Sequence, residues 1–191
     1  MIESPRDPIY DELPNLSNPT QHHHEFIGDT IEEDPPSDVT RIYIQNLNGL
    51  SWDNDGGKWP YVCEVMSSLQ VDVACFSEIN TDTNKYIIRH QMEQISQLHL
   101  PKSRLVLATS PHKTTRAYKP GGTAILASSS IVSTIKSHTR DRMGRWTSIC
   151  LSVSSARTIR IISAYQVCDT RTRGTTTAAA QQMAQIITEN S

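Results

Sequence analysis

The run Val71-Asp72-Val73-Ala74-Cys75-Phe76-Ser77-Glu78 constrains this chain more than any other feature. It is almost unbroken apolar sequence that ends on a carboxylate. Val71, Val73, Ala74, Cys75 and Phe76 read as a strand buried on both faces, the kind found in the middle of a helix-covered sheet. Such a strand has no structural need for an acid at its C-terminal mouth. In open α/β sheets that mouth is where ligands and metals are held, so Glu78 is the residue from which function is argued.

The sequence around it supplies the rest of a parallel unit. Residues 41–46, Arg-Ile-Tyr-Ile-Gln-Asn, alternate and are rich in β-formers, which predicts a first strand. A polar loop with Asn54-Asp55-Gly56-Gly57 follows. Pro60 then suits the first turn of a helix carrying Val62, Val65, Met66 and Leu69 at helical spacing. Residues 41–78 thus predict one strand–helix–strand crossover. Asp82 is expected to cap a second helix reaching about Leu98, with Ile88, Met92 and Ile95 inward. After Pro101, short runs at 104–109, 122–128, 131–136, 146–153 and 158–165 have strand character and suggest an antiparallel meander. A last helix over about 175–188 has no strand after it, and the chain is expected to be truncated.

Charge divides the chain in two. Residues 1–38 hold ten acids, one base and six of the ten prolines, for a charge of −9, while residues 39–191 carry +7. The first segment buries too little apolar surface to offset its ordering entropy and is expected to be a disordered acidic tail. His22, His23 and His24 inside it read as a polar tract. The domain is expected to span 39–191, and its basic balance suits a polyanion such as nucleic acid, although an ordinary solvated surface would carry the same charge. Cys63, Cys75, Cys150 and Cys168 form no Cys-x-x-Cys pair and read as free thiols in a reducing compartment. No segment approaches the roughly 18–20 apolar residues of a membrane span, and no signal-peptide pattern opens the chain. An intracellular, soluble protein without membrane partners is the expectation, nuclear or cytoplasmic.

Three strand ends carry chemistry together. Gln45-Asn46-Leu47-Asn48-Gly49-Leu50 places two carboxamides on the same side of an extended chain. Ser77-Glu78 ends the neighbouring parallel strand, and Ser163-Ala164-Tyr165 ends a later one. Asn46, Asn48 and Glu78 at one mouth make a hard, oxygen-only donor set suited to Mg²⁺ or Mn²⁺ and poor for zinc. The Tyr165 phenol at that edge can hydrogen-bond a phosphate oxygen. Taken singly, each has a plainer reading: Asn48-Gly49 a turn, Tyr165 a half-buried core aromatic, Glu78 an exposed strand end. The loop-borne bases Lys113, Arg116 and Lys119 with Tyr118, and the cluster Arg140, Arg142 and Arg145, are candidate DNA contacts or simply solvated loops.

In set and order these pieces resemble the endonuclease/exonuclease/phosphatase superfamily. The matching segments are Ile44-Gln45-Asn46-Leu47-Asn48-Gly49-Leu50, Asp72-Val73-Ala74-Cys75-Phe76-Ser77-Glu78, Gly121-Gly122-Thr123-Ala124-Ile125-Leu126 and Ile161-Ile162-Ser163-Ala164-Tyr165. Gly144-Arg145-Trp146-Thr147-Ser148-Ile149 looks like the strand before the tyrosine in non-long-terminal-repeat retrotransposon endonucleases, which are encoded with a reverse transcriptase in one polyprotein. The resemblance covers 39–191. It implies an α/β fold, here part of a four-layer α/β sandwich, and Mg²⁺-dependent hydrolysis of phosphate esters. It also implies that Glu78 binds the metal, that Asn48 sits at the metal site, that Asn46 orients the catalytic aspartate and that Tyr165 contacts phosphate.

The same resemblance implies a Gly-Asp-x-Asn motif beyond Tyr165 and a later Asp-His pair, for water activation and phosphate binding. Neither occurs: the one Gly-Asp is Gly28-Asp29, and His90, His99, His112 and His138 all precede Tyr165. Loss of a general base alone lowers rates by ~10²–10⁴-fold, so these residues by themselves are expected to be inactive. The readings that follow are a DNA-nicking endonuclease fragment, a phosphatase of the same superfamily, or a non-catalytic nucleic-acid-binding fragment.

Overall fold

The computed structural model describes residues 38–52, 55–116, 118–165, 184–186 and 188. The acidic segment up to residue 37, Asn54, Cys168 and most of the expected 175–188 helix lie outside the described residues. The order is β1 (Ile42–Asn46), α1 (Trp59–Ser68), β2 (Val73–Ser77), α2 (Tyr86–His99), β3 (Arg104–Ala108), β4 (Thr123–Ala127), α3 (Ser129–Val132), β5 (Ile135–Arg140), β6 (Trp146–Ser152) and β7 (Thr158–Ala164).

Two sheets form. The first has the order β1-β2-β4-β3 and the second β5-β6-β7. β1 and β2 run parallel, as the crossover requires, with Asn46 opposite Ser77. β2 lies inside its sheet, and Val73, Ala74, Cys75 and Phe76 are all buried. Alternation along β2 sends Ala74 and Phe76 towards the helices and Val73 and Cys75 towards the second sheet. On the helix side Trp59, Cys63 and Met66 of α1 and Ile88 and Met92 of α2 close over Phe76, Leu107 and Leu126. The Trp59 and Phe76 rings meet edge-on at 5.7 Å, and the indole N–H donates to Met92 O at 3.1 Å. Between the sheets Val73, Cys75, Val106 and Ile125 pack on Ile149 and Leu151. The helix pair, the first sheet and the second sheet are three stacked layers of the expected sandwich. Burial pushes the Cys63 thiol up to about 12, against a lowering hydrogen bond with Ser96, and pushes Cys75 up to about 11. Neither is nucleophilic near neutral pH.

Three expectations need correction. Asp82 does not cap α2: the helix begins at Tyr86, and no side chain bonds its first turn. Asp82 is buried instead and bound to Lys119, whose ammonium competes for the same carboxylate. The run 131–136 is not a strand, because Ser129–Val132 makes a helical turn first and β5 starts at Ile135. Nor do the later strands form one meander. β4 inserts between β2 and β3, and the β5-β6-β7 meander builds a separate sheet. No helix among the described residues is long and apolar enough to cross a membrane.

Candidate functional site

The pairing of β1 with β2 continues past the ends of both strands. Leu47 N–H donates to Ser77 O at 2.9 Å, Gly49 N–H to Glu78 O at 2.8 Å and Leu50 N–H to Ile79 O at 3.1 Å. This ladder sets Asn48 and Glu78 side by side at the mouth of the sheet. Both are in the left-handed region, Asn48 at φ 47° and Glu78 at φ 52°. Asparagine tolerates that conformation; for glutamate it is strained by about 1–2 kcal/mol. Asn46 Oδ1 accepts the Asn48 backbone N–H at 2.9 Å, closing a local turn that holds Asn48 in place. Asn46 and Asn48 are exposed and Glu78 is half-buried, so this face is open to solvent.

Tyr165 reaches the same mouth from the second sheet. Its backbone N–H donates to Arg145 O at 2.7 Å, and its ring lies 3.2 Å from where a Cβ on Gly121 would be. Gly121, at φ 79°, is tied back to the β2 exit. Its N–H donates to Asn80 Oδ1 at 2.7 Å, and Asn80 N–H donates to Gly121 O at 2.9 Å. Asn80 is therefore the link between the Glu78 strand end and Tyr165. Sequence reasoning passed over it, although an Asn two residues beyond the strand-end acid signals a left-handed turn, here at φ 48°. The two sheets are also pinned at this end by Ser163 Oγ, which donates to Phe76 O at 2.8 Å. Nearby on the inner faces, Thr123 Oγ1 and Thr147 Oγ1 are buried without a hydrogen-bond partner among the described residues. Two buried hydroxyls between the sheets thus have bonding capacity to spare.

The candidate DNA contacts separate into unlike groups. Lys113, Arg116 and Tyr118 are exposed on the 110–120 segment, which Lys85 Nζ holds by donating to Thr115 O at 3.0 Å and Arg116 O at 2.7 Å. Lys119 is not among them: it is buried, with Nζ 2.9 Å from Asp82 Oδ1. Arg140 ends β5 rather than lying on a loop, and its Nη1 donates to Leu107 O at 3.4 Å. Arg142 is exposed, while Arg145 Nε is bound to Asp141 Oδ2 at 2.7 Å. Burial alone would raise the Asp141 carboxyl. The hydrogen bonds from Arg145 and the Met143 backbone, with the Arg145 charge, hold it below the usual carboxylate range.

One carboxylate and one or two amide oxygens fit a small, hard cation that keeps most of its water. Among the described residues no cluster of three or more His, Cys, Asp or Glu side chains occurs.

No profile of a known protein family and no curated protein matches the chain. Among solved structures it is similar to an endonuclease/exonuclease/phosphatase family protein from Leptotrichia buccalis C-1013-b. The two are 15% identical, with a TM-score of 0.53, over 77% of this chain and 61% of that one. It is also similar to ANGEL2, a 2′,3′-cyclic phosphatase, at 16% identity and a TM-score of 0.38 over 58% of this chain and 31% of that one. The chain spans about three fifths of the length of the Leptotrichia protein, and the likeness to it shows the fold, that of the endonuclease/exonuclease/phosphatase proteins.

Proposed function

We propose that this chain, with its endonuclease/exonuclease/phosphatase fold, carries the metal-holding and phosphate-gripping side of a Mg²⁺-dependent endonuclease that nicks DNA. The observation that carries the reading is the side-by-side placement of Asn48 and Glu78 at the β1–β2 mouth, joined through Asn80 and Gly121 to Tyr165. Glu78 would hold Mg²⁺ or Mn²⁺ through its carboxylate, and Asn48 through its amide oxygen. When bound, such an ion polarises the scissile phosphate and stabilises the leaving oxygen. Asn46 fixes the Asn48 turn, and the Tyr165 hydroxyl donates to a phosphate oxygen. Lys113, Arg116 and Arg142 hold the DNA backbone by charge. The basic balance of 39–191 and the Gly144-Arg145-Trp146 segment favour a retroelement endonuclease that works beside a reverse transcriptase.

The 191 residues hold no Gly-Asp-x-Asn after Tyr165 and no Asp-His pair. They are therefore expected to bind without turning over. The test is binding of a duplex oligonucleotide with and without Mg²⁺, alongside plasmid nicking. The expected result is no nicking, and tighter duplex binding in Mg²⁺ that Glu78→Gln abolishes. Mg²⁺-dependent binding of an inositol phosphate in place of DNA would overturn the endonuclease reading in favour of a phosphatase. Binding indifferent to both Mg²⁺ and Glu78→Gln would mark a non-catalytic nucleic-acid-binding module.

A further inference from the structure

A cationic site lies on the opposite edge of the first sheet from Asn46. Three strand spacings of ~4.8 Å put about 14 Å between β1 and β3. There a groove of about 580 Å³ runs between α2, the free edge of β3 and β5. Arg89 and His90 of α2 line one wall, and His138 and Arg140 of β5 line the other. Arg104 of β3 lines the adjoining pocket, which shares Glu93 and Leu105 with the groove. Like charges from three separate elements thus converge, and none of the three guanidiniums makes an ion pair among the described residues. Glu93 is the one carboxylate lining the groove, and it too is unpaired among them. A cleft lined by one sign of charge focuses the field and raises the local concentration of anions. Burial first, then the charges of Arg104 and Arg140, hold the His138 imidazole below its usual range. At its rim Tyr86 is 66% exposed and stacks on His90, with ring centroids 5.4 Å apart and planes 8° from parallel. A flat, exposed aromatic pair beside unpaired guanidiniums suits a base next to a phosphate.

We propose that the groove between α2, β3 and β5 binds single-stranded nucleic acid, with Arg89, Arg104 and Arg140 on successive phosphates and the Tyr86–His90 pair stacking on a base. The site is separate from the β1–β2 mouth and needs no metal. For single strands the log–log salt slope is about −0.7 per phosphate contact, so three contacts give a slope near −2. Raising salt from about 50 to about 200 mM then weakens binding roughly twentyfold. A phosphate also favours the protonated form of His138, which faces Arg104 from β3, Arg140 from its own strand and Arg89, His90 and Glu93 from α2. Binding therefore tightens as pH falls through the imidazole range.

The test uses the 191-residue chain with Lys113→Gln, Arg116→Gln and Arg142→Gln, so that the groove is read alone, and a fluorescein-labelled oligothymidylate in EDTA. Anisotropy is expected to give the slope near −2. Arg89→Gln with Arg104→Gln should bring it to about −0.7, and Arg104→Lys should restore one contact. Tyr86→Ala should weaken binding roughly tenfold at every salt concentration. Glu78→Gln should change none of these values, so failure here is distinguishable from failure of the proposed metal site. The proposal is overturned if the arginine variants leave affinity and slope unchanged while circular dichroism shows them folded. It is also overturned if inorganic phosphate competes at the same molar concentration as the oligonucleotide, or if the arginines govern retention on phosphoinositide-containing vesicles instead.

Discussion

Replacing Lys119 by methionine is expected to destabilise the fold by about 3–5 kcal/mol, because it strands a buried carboxylate. Asp82 and Lys119 have side chains only 4% and 5% exposed, and their charged atoms lie 2.9 Å apart. Breaking such a pair by removing one partner leaves the other charge out of water, and for Asp82 Oδ1 the Asn84 backbone N–H at 3.3 Å is too weak a partner to replace an ammonium. The effect should reach the site. Lys119 N–H donates to Asn80 O at 3.0 Å, Thr81 bridges Tyr118, and Asn80 in turn holds Gly121 under the Tyr165 ring. Urea unfolding should show the midpoint falling with the slope unchanged. The double variant Asp82→Leu with Lys119→Met should recover most of the loss, since an apolar pair of similar volume removes both charges. A single variant that keeps wild-type stability but lowers the salt dependence of DNA binding would show that Lys119 works at the surface after all.

Gly144→Ala is the second large effect, at more than about 3 kcal/mol, combining left-handed strain with overpacking. Gly144 sits at φ 76°, and a Cβ there would fall 2.5 Å from the Thr109 carbonyl carbon and 2.6 Å from Ser110 N. Those are backbone atoms and cannot swing aside. The substitution would push the β5–β6 hairpin, with its Asp141–Arg145 pair, off the segment after β3. Gly49→Ala is the matched control. It shares a left-handed φ of 87°, but its Cβ would meet only the Asn80 side chain, at 3.4 Å. About 1 kcal/mol is expected there. Equal losses at the two positions in parallel urea titrations would show that φ alone, and not the backbone approach at Thr109, accounts for Gly144.

What could be read in advance was what short-range pattern determines. The run 71–78 is an interior strand because its residues are apolar on both faces, and the crossover from β1 follows from the helical spacing of Val62, Val65, Met66 and Leu69. Parallel strands ending two and one residues before Asn48 and Glu78 then had to bring those residues together. The rest depends on partners distant in the chain. Asp82 has the local credentials of a helix cap, and only the arrival of Lys119, 37 residues later, makes it half of a buried ion pair. Lys119 likewise looks like its neighbours Lys113 and Arg116 until the Thr81–Tyr118 bridge turns it inward. The insertion of β4 between β2 and β3 leaves no periodicity to detect, since a strand reads alike beside either neighbour. Ser129–Val132 coils because two serines follow Ser128 and open a turn, which the β-branched Ile131 and Val132 concealed. The cationic groove draws on three elements whose bases are unremarkable one at a time.

The most direct test of the site is where Mn²⁺ lands. Titrating Mn²⁺ into the ¹⁵N-labelled chain should broaden the backbone amides of Leu47, Asn48 and Gly49 and of Glu78, Ile79 and Asn80 before any others. Glu78→Gln should remove that effect while leaving the spectrum otherwise folded. Broadening that starts elsewhere, or that survives Glu78→Gln unchanged at this mouth, would contradict a metal site built on Glu78 and Asn48.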